Sequence, residues 1–512
     1  MLKDMTKEDF FDKMVIDRKR VDFLMFMNRY EMKVYQAGLK FILYVATKKV
    51  LDCDVIFSHS LDKGIYVQVD NNQELTYEQI DAIKTEMRNL ISQDITYGRK
   101  MVLKKDAYLY YQKHGELEKA GNTITVNQKA VNLYELGGYY NYFYMDLPDS
   151  TGKTDKFNLI HLGANNLLLS HPVDIPNVVP EYKPQVKILE SFREYDSWIK
   201  AIGVSYVNDL NNIIANSKIR SFIKQNDIMM NNRFFNIAKQ IQESGAKIIL
   251  LGGPSSSGKT TSTKKLALYL STLGLNPIYL GLDDYYKERV DSPKDENGEY
   301  DFERLDAIDV ELFNTQLKNI LEGKEVEVPK FNFVTGEKEY KGRVIKLAVD
   351  DIILIEGLHC LNEELTHLIP KEQKLKIYIS PFTPLSIDRH NHISTIDIRL
   401  IRRMIRDSWS RGFPPELTLQ MWGKVRAGET KYVFPFTTEA DIILNTAFIY
   451  EIGILRVYGE PLLYSIPPES EYYKEARRLL NFMQMFLPIP SDHINDDNIL
   501  REFIGGSYFE ER

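Results

Sequence analysis

One octapeptide restricts this chain more than any other feature. Gly253-Pro-Ser-Ser-Ser-Gly258-Lys259-Thr260 fits the spacing G-x-x-x-x-G-K-[ST] in full. It follows the apolar run Ile248-Ile-Leu-Leu251 and precedes a stretch of helical character, Lys264 to Leu273. A loop of this kind turns its backbone N–H groups toward an anion. The lysine adds a point charge, and the helix that follows points its positive end at the same place. The strand–loop–helix context argues against a chance match. The candidate nucleotide contacts are therefore Gly253, Pro254, Ser255, Ser256, Ser257, Gly258, Lys259, Thr260 and Thr261, with the Thr260 hydroxyl able to ligate Mg²⁺.

The downstream pattern predicts an α/β unit around a parallel sheet. Pro277-Ile-Tyr-Leu, Asp350-Asp-Ile-Ile-Leu-Ile-Glu and Leu375-Lys-Ile-Tyr-Ile read as short strands that alternate with helices. The first of these ends in Asp283-Asp284-Tyr285-Tyr286. A carboxylate at the C-terminal end of a strand adjacent to the loop can accept a proton from a hydroxyl acceptor. Asp283 and Asp284 are the two candidates for such a base. Glu356 ends the second strand like an acidic Walker B residue, a candidate metal ligand. In Arg399-Leu-Ile-Arg402-Arg403-Met-Ile-Arg406, the arginines recur at i, i+3, i+4 and i+7 and share one helix face. That face is either solvated or part of a lid that neutralises charge on a transferred phosphoryl group, with Leu400, Ile401, Met404, Ile405 and Trp409 turned inward. The nearby Arg389-His390-Asn391-His392 lacks the further ligands that a metal site needs.

The preceding 245 residues read differently. Residues 1–34 form a charged and aromatic arm. Gln36–Lys48 reads as an apolar helix, Val55–Phe57 and Ile65–Val69 as strands, and Tyr77–Gln93 as a helix with Ile80, Ile83, Met87, Leu90 and Ile91 on one face. A β-rich stretch is expected from about 100 to 170. Pro172, Pro176, Pro180 and Pro184 then space an extended connector, and helical sequence follows to about 243. The longest unbroken apolar run, Phe41 to Ala46, is far short of the roughly 20 residues of a membrane span. The charged start MLKDMTKEDFF does not read as a secretory signal, and two cysteines do not make a disulfide framework, so a cytoplasmic setting is expected. The net charge of −7, without a long basic run, speaks against a general nucleic-acid binder.

These motifs carry a resemblance. The region 246–450 resembles the uridine kinase/phosphoribulokinase family of P-loop kinases in GGPSSSGKTT, LDDYYKE, DFERLDAID, VPKFNFVTGEK and RLIRRMIRD. The resemblance implies ATP and Mg²⁺ as cofactors and transfer of the γ-phosphate to a hydroxyl of a nucleoside-like small molecule. It implies Asp283, Lys259, Arg402 and Arg406 as catalytic groups, and Thr260 and Glu356 as metal ligands. It implies Asp283, Tyr286, Glu303, Phe331, Phe333, Arg399 and Arg403 as acceptor contacts. Glu303 stands where the family has an aspartate. Thr335-Gly336-Glu337-Lys338 stands where uridine kinases carry a base-reading histidine, so uridine specificity is left open.

Residues 35–215 resemble, more distantly, the second additional, editing-type domain of threonyl- and alanyl-tRNA synthetases. FSHSLDKGIYVQV, LTYEQIDAIKTEMRNLISQDI and the segment ending at DLPDSTGK carry the likeness. The family's histidine pair is missing from Val34–Lys40, Tyr142–Pro148 replaces its Cys/His stretch, and histidines 59, 114, 161 and 171 lack ligand spacing. The expected organisation is an arm (1–34), this α+β domain (35–215), a helical connector (216–245), the P-loop kinase domain (246–450) and a helical tail (451–512). Two other readings stay open: a nucleotide-gated RNA- or tRNA-binding regulator, and a kinase of another small molecule such as a sugar phosphate. A homo-oligomer is also open.

Overall fold

The computed structural model describes residues 22–125, 129–173, 178–294, 298, 300–332, 335–383 and 385–510. Most of the expected N-terminal arm lies outside these residues. From Asp22 the chain is one helix to Leu51. Every residue from Ala37 to Thr47 in it is buried. A helix that is apolar all round must be enclosed on all sides. The enclosing elements are an antiparallel sheet of order β1-β2-β7-β6 and the helix Tyr77–Ser92. The strands are β1 (Asp54–Leu61), β2 (Gly64–Asp70), β6 (Asn158–His161) and β7 (Asn166–Ser170). The helix Tyr77–Ser92 buries Ile80, Ile83, Met87, Leu90 and Ile91, the face its periodicity predicts. A capping box starts it: Thr76 Oγ1 accepts the Gln79 N–H, and Gln79 accepts the Thr76 N–H.

The expectation of a β-rich stretch from 100 to 170 needs correction. A second antiparallel sheet, β3 (Gly98–Leu103), β4 (Ala130–Leu136) and β5 (Tyr139–Tyr142), is interrupted by the helices Lys104–Lys113 and Leu117–Thr125. Their buried apolar positions, Ala107, Tyr111 and Ala120, are sparse and share a small core with Val131 and Leu133, while the other buried positions of the second helix are polar. That leaves little helical periodicity to read. The described residues between Ser170 and Val186 form no helix or strand, consistent with the proline-spaced connector.

Three helices follow, Val186–Ala201, Val207–Ala215 and Ile219–Ser244. The last, read from sequence as a connector, belongs instead to the α/β core. Phe234, Ile237, Ala238 and Ile241 pack with Ile249 and Leu251 and with Leu266 and Leu270. The core is built on five parallel strands: β8 (Ile248–Gly252), β9 (Asn276–Gly281), β14 (Asp351–Gly357), β15 (Lys374–Ser380) and β18 (Ile442–Asn445). Their order is β18-β15-β8-β14-β9. Successive residues of β8 and β14 face opposite sides. Ile249, Leu251, Ile352 and Leu354 enter one core, and Ile248, Leu250, Ile353 and Ile355 the other. One expectation is revised here: β9 is not the neighbour of β8, because β14 lies between them.

Short two-stranded pieces decorate the core: β10 (Val326–Glu327) with β13 (Val344–Ile345), β11 (Lys330–Asn332) with β12 (Glu337–Glu339), and β16 (Ser386–Asp388) with β17 (Asn391–His392). The last hairpin joins the two halves. Its tip residue Arg389 pairs with Asp54 and Glu118, each at 2.7 Å. Lys119 donates to His390 Nδ1 at 2.8 Å, and Nε2 meets Asp54 at 3.1 Å. Burial, together with the Lys119 charge, lowers the His390 pKa to about 3, so the ring is neutral. The arginine also helps hold the Asp54 carboxyl well below its usual range, against the effect of burial. Removing one member of such a network strands a buried charge. Arg389→Ala is expected to lower the unfolding free energy by about 3 kcal/mol, read from urea denaturation. An unchanged midpoint would show that the two halves do not depend on this hairpin.

Candidate active site

The loop 253–258 leaves the C-terminal end of β8, the middle strand of the sheet. Ser256 (φ +58°) and Gly258 (φ +86°) hold left-handed conformations, which turn the chain sharply before the helix Lys259–Thr272. A serine tolerates this geometry only where its surroundings impose it. Three groups do so. Glu429 accepts the Ser255 N–H at 2.8 Å. Arg403 donates to the Ser255 hydroxyl at 2.9 Å. Thr446 donates to the Ser257 carbonyl at 2.6 Å. Lys259 folds back over the loop and donates to the carbonyls of Gly253 (2.9 Å) and Pro254 (3.0 Å). Burial lowers its pKa, and the carboxylate of Glu356 opposes that shift.

Two further strand ends bring acids to the same edge. Glu356 lies at the end of β14, in register with Leu251 of β8 and Gly281 of β9. Its Oε1 accepts from the hydroxyls of Thr260 (3.0 Å) and Tyr279 (2.9 Å). Its Oε2 is buried with no hydrogen-bond partner among the described residues. Burial raises its pKa, and Lys259 acts in the opposite direction. An unsatisfied carboxylate oxygen beside a threonine hydroxyl is a hard, oxygen-rich donor set that fits Mg²⁺. Asp283 and Asp284 follow β9 and have separate environments. Asp284 is buried, with Lys330 at 3.1 Å and the Phe331 N–H at 3.4 Å. Asp283 is open to solvent. The protein crowded around this accessible position removes part of its hydration, and with the charge of Asp284 that raises its pKa. Such a shift makes a carboxylate a better proton acceptor.

An aromatic recess adjoins Asp283. Tyr286 meets Phe302 and Phe331 edge-on, with ring centroids 5.7 Å apart in both pairs. Phe333 lies outside the described residues. Glu303 rests directly on Gly428 of the helix Pro415–Tyr432; any side chain there would displace its carboxylate. Gly336 abuts the side chain of Arg289, whose N–H donates to the Gly336 carbonyl at 2.9 Å.

The arginine helix Thr395–Arg411 differs from the expected open lid. Arg399, Arg402 and Arg403 are 1%, 0% and 8% exposed. Arg399 forms a bidentate pair with Glu429 at 2.5 and 2.7 Å, donates to the Ser255 carbonyl and lies over Trp422. Arg402 pairs with buried Glu451, donates to the Thr446 carbonyl and lies over Phe503. Arg402 therefore supports the loop through Thr446 and is enclosed in the core. Burial lowers the Arg403 pKa, with Asp407 opposing. Arg406 is half-buried, between Asp407 and Glu502. Trp409, expected inward, is 48% exposed. The helix is apolar on one side and ion-paired on the other, so both faces are covered. Periodicity showed the stripe, and Asp407 lies on it at i+4 from Arg403, but the partners Glu429 and Glu451 sit at distant positions that no spacing links to it. Tyr279, Thr446 and Glu502 were missed for the same reason.

Residues 248–450 match the Phosphoribulokinase / Uridine kinase family. The chain is 32% identical over 200 residues to the uridine kinase of Borrelia duttonii (strain Ly), an alignment covering 39% of this chain and 85% of that one. It is 32% identical over 222 residues to the uridine kinase of Borrelia hermsii, covering 42% and 96%. Among solved structures, a possible uridine kinase from Bacillus stearothermophilus aligns with 42% of this chain and 98% of its own at 19% identity and a TM-score of 0.29. This chain belongs to the phosphoribulokinase/uridine kinase family, and its α/β half is a P-loop kinase domain.

Glu303 offers a pH test of the recess. Burial, then the nearby charges of Asp301 and Glu429, raise its pKa from 4.5 to about 7. The folded state thus keeps a proton that the unfolded chain releases. The stability of the neutral form is complete below about pH 4.5 and is lost as pH rises through about 7. The melting temperature of wild type should fall relative to that of Glu303→Gln across this window. Parallel melting profiles would contradict the shift.

Proposed function

We propose that this protein transfers the γ-phosphoryl group of ATP to a hydroxyl of a nucleoside-like small molecule, with Mg²⁺ as the metal. The observation that carries the reading is the convergence of three strand ends. β8, β14 and β9 bring Lys259, Glu356 and Asp283 to one edge of the sheet, and the register aligns Leu251, Glu356 and Gly281. Ligands of open α/β sheets bind at such an edge. Backbone amides of residues 256–261 and the Lys259 ammonium would hold the phosphates, the Ser255 amide being taken by Glu429. Thr260 and Glu356 Oε2 would hold Mg²⁺, which when bound neutralises phosphate charge. Asp283 would take the proton of the acceptor hydroxyl, while Asp284, held by Lys330, orients the turn. Tyr286, Phe302 and Phe331 suit a flat ring, and Glu303 suits a hydroxyl donor. Arg403 and Arg406 would supply positive charge near the transferred group, whereas Arg399 and Arg402 position the loop. For the N-terminal unit, the resemblance of its sequence motifs to a synthetase domain favours a binding or regulatory role, with a purely structural role as the alternative.

The test offers purified protein ATP, Mg²⁺ and a panel of nucleosides and sugars, and follows ADP release. Release stimulated by a nucleoside is the expected result; stimulation only by a sugar phosphate would replace the acceptor class. Lys259→Ala should reduce turnover at least about 10³-fold while the protein stays folded. Asp283→Asn should be inactive and Asp284→Asn should retain measurable turnover. The reverse order would exchange their roles.

A further inference from the structure

The chain's own C-terminal segment already occupies two groups that a bound polyphosphate would use. The short helix Arg501–Ile504 carries Glu502. Glu502 Oε2 accepts the N–H of Thr261 at 3.3 Å, and Oε1 stands 3.7 Å from the Arg406 guanidinium. Thr261 is the third residue of the helix Lys259–Thr272, so its N–H has no partner inside the helix and belongs to the positive end. The segment lies directly on the loop: Ile499 Cγ2 is 2.6 Å from the place of a Cβ on Gly258. Independent ties hold it there. Lys265 pairs with Asp497 at 2.8 Å, Lys264 donates to the Phe509 carbonyl at 2.9 Å, and Trp409 donates to the Phe503 carbonyl at 2.6 Å. The Glu502 charge acts on both Lys259 and Glu356, holding the proton on each.

We propose that Glu502 is an internal anion that competes with the nucleotide for the phosphate-binding loop. It fills the Thr261 amide and engages Arg406 when no nucleotide is bound, and ATP binds by displacing it. The proposal rests on the reading of this loop as the ATP site. The physical reason is twofold. One amide hydrogen serves one acceptor well. A polyphosphate beside a carboxylate only 16% exposed would meet its like charge with little water to screen it. Displacement lowers the apparent affinity for ATP by the fraction of molecules in which the site is open, and it frees Arg406 to face the phosphates. A purely structural cap would have no such antagonism: its removal would loosen the tail without tightening ATP.

Direct binding of ATP, measured by displacement of a fluorescent ATP analogue from the full-length protein, separates the outcomes. Glu502→Gln keeps the shape of the side chain and removes its charge. It is expected to tighten ATP binding about tenfold. In wild type, saturating ATP should speed hydrogen exchange of the amides in 499–505. Lys259→Ala is the control and should lose ATP. If Glu502→Gln binds ATP no tighter than wild type while Lys259→Ala has lost it, the competition is refuted and the ATP site stands. If Lys259→Ala binds ATP like wild type, the reading of the loop fails, and the proposal fails with it.

Discussion

A loop that turns its backbone toward a ligand needs its shape imposed from outside, and much of the α/β half is arranged around that requirement. Residues 253–258 form no repetitive structure, and two of them hold positive φ. Such a segment keeps one shape only where neighbours clamp it from several sides. The clamp is the pair Arg399–Glu429. Glu429 takes the Ser255 N–H, Arg399 takes the Ser255 carbonyl, and the two are joined by a bidentate contact at 1% and 2% exposure. A charge-assisted pair that is dry and doubly bonded has little freedom to drift. Arg402 and Glu451 repeat the device one turn on, through Thr446 and the Ser257 carbonyl.

This arrangement changes the meaning of the arginine stripe. Four arginines on one helix face suggested a surface that closes on phosphates. Arg399, Arg402 and Arg403 instead pair with the buried carboxylates of Glu429, Glu451 and Asp407, and the packed core around them keeps the helix fixed. Arg399 and Arg403 both reach the loop, through the Ser255 carbonyl and hydroxyl, and Arg406 is the least buried of the four. Buried pairs thus hold the backbone of the loop, whereas Lys259, Glu356 and Asp283 near the strand ends are less enclosed.

The two halves of the chain share interactions that neither half contains alone. The hairpin of β16 and β17 leaves the α/β core and ends between Asp54, Glu118 and Lys119. The tail also crosses the junction. Tyr142 donates to Met485 and Tyr144 packs on Phe482, upstream of the segment that reaches Thr261. The N-terminal unit is thus in contact with both the hairpin leading into the arginine helix and the tail leading to the loop.

Local features of this protein were legible because their signal is local. The G-x-x-x-x-G-K-T spacing, the apolar runs of β8, β9, β14 and β15, and the helical face of Ile80, Ile83, Met87, Leu90 and Ile91 each follow from steric and burial rules that act within about ten residues. The placing of Asp283 and Glu356 at the same edge of the sheet as the loop could be read because each ends a recognisable strand. The helices at 104–125 were not legible, since the first buries only Ala107 and Tyr111 and the second buries mainly polar residues, Glu118, Lys119, Asn122 and Thr123. The insertion of β14 between β8 and β9 was not legible either, because strand order is set by how helices cover the two faces of the sheet. The sequence by itself determined a phosphate-binding loop on an α/β core and the acids that accompany it. Only the tertiary structure decided which arginines are ion-paired supports, where Tyr279, Glu429 and Glu502 stand, and that a tail carboxylate rests on the loop. Those outcomes depend on charges more than 25 residues apart meeting in low-dielectric surroundings, and no periodicity in the chain records such a meeting.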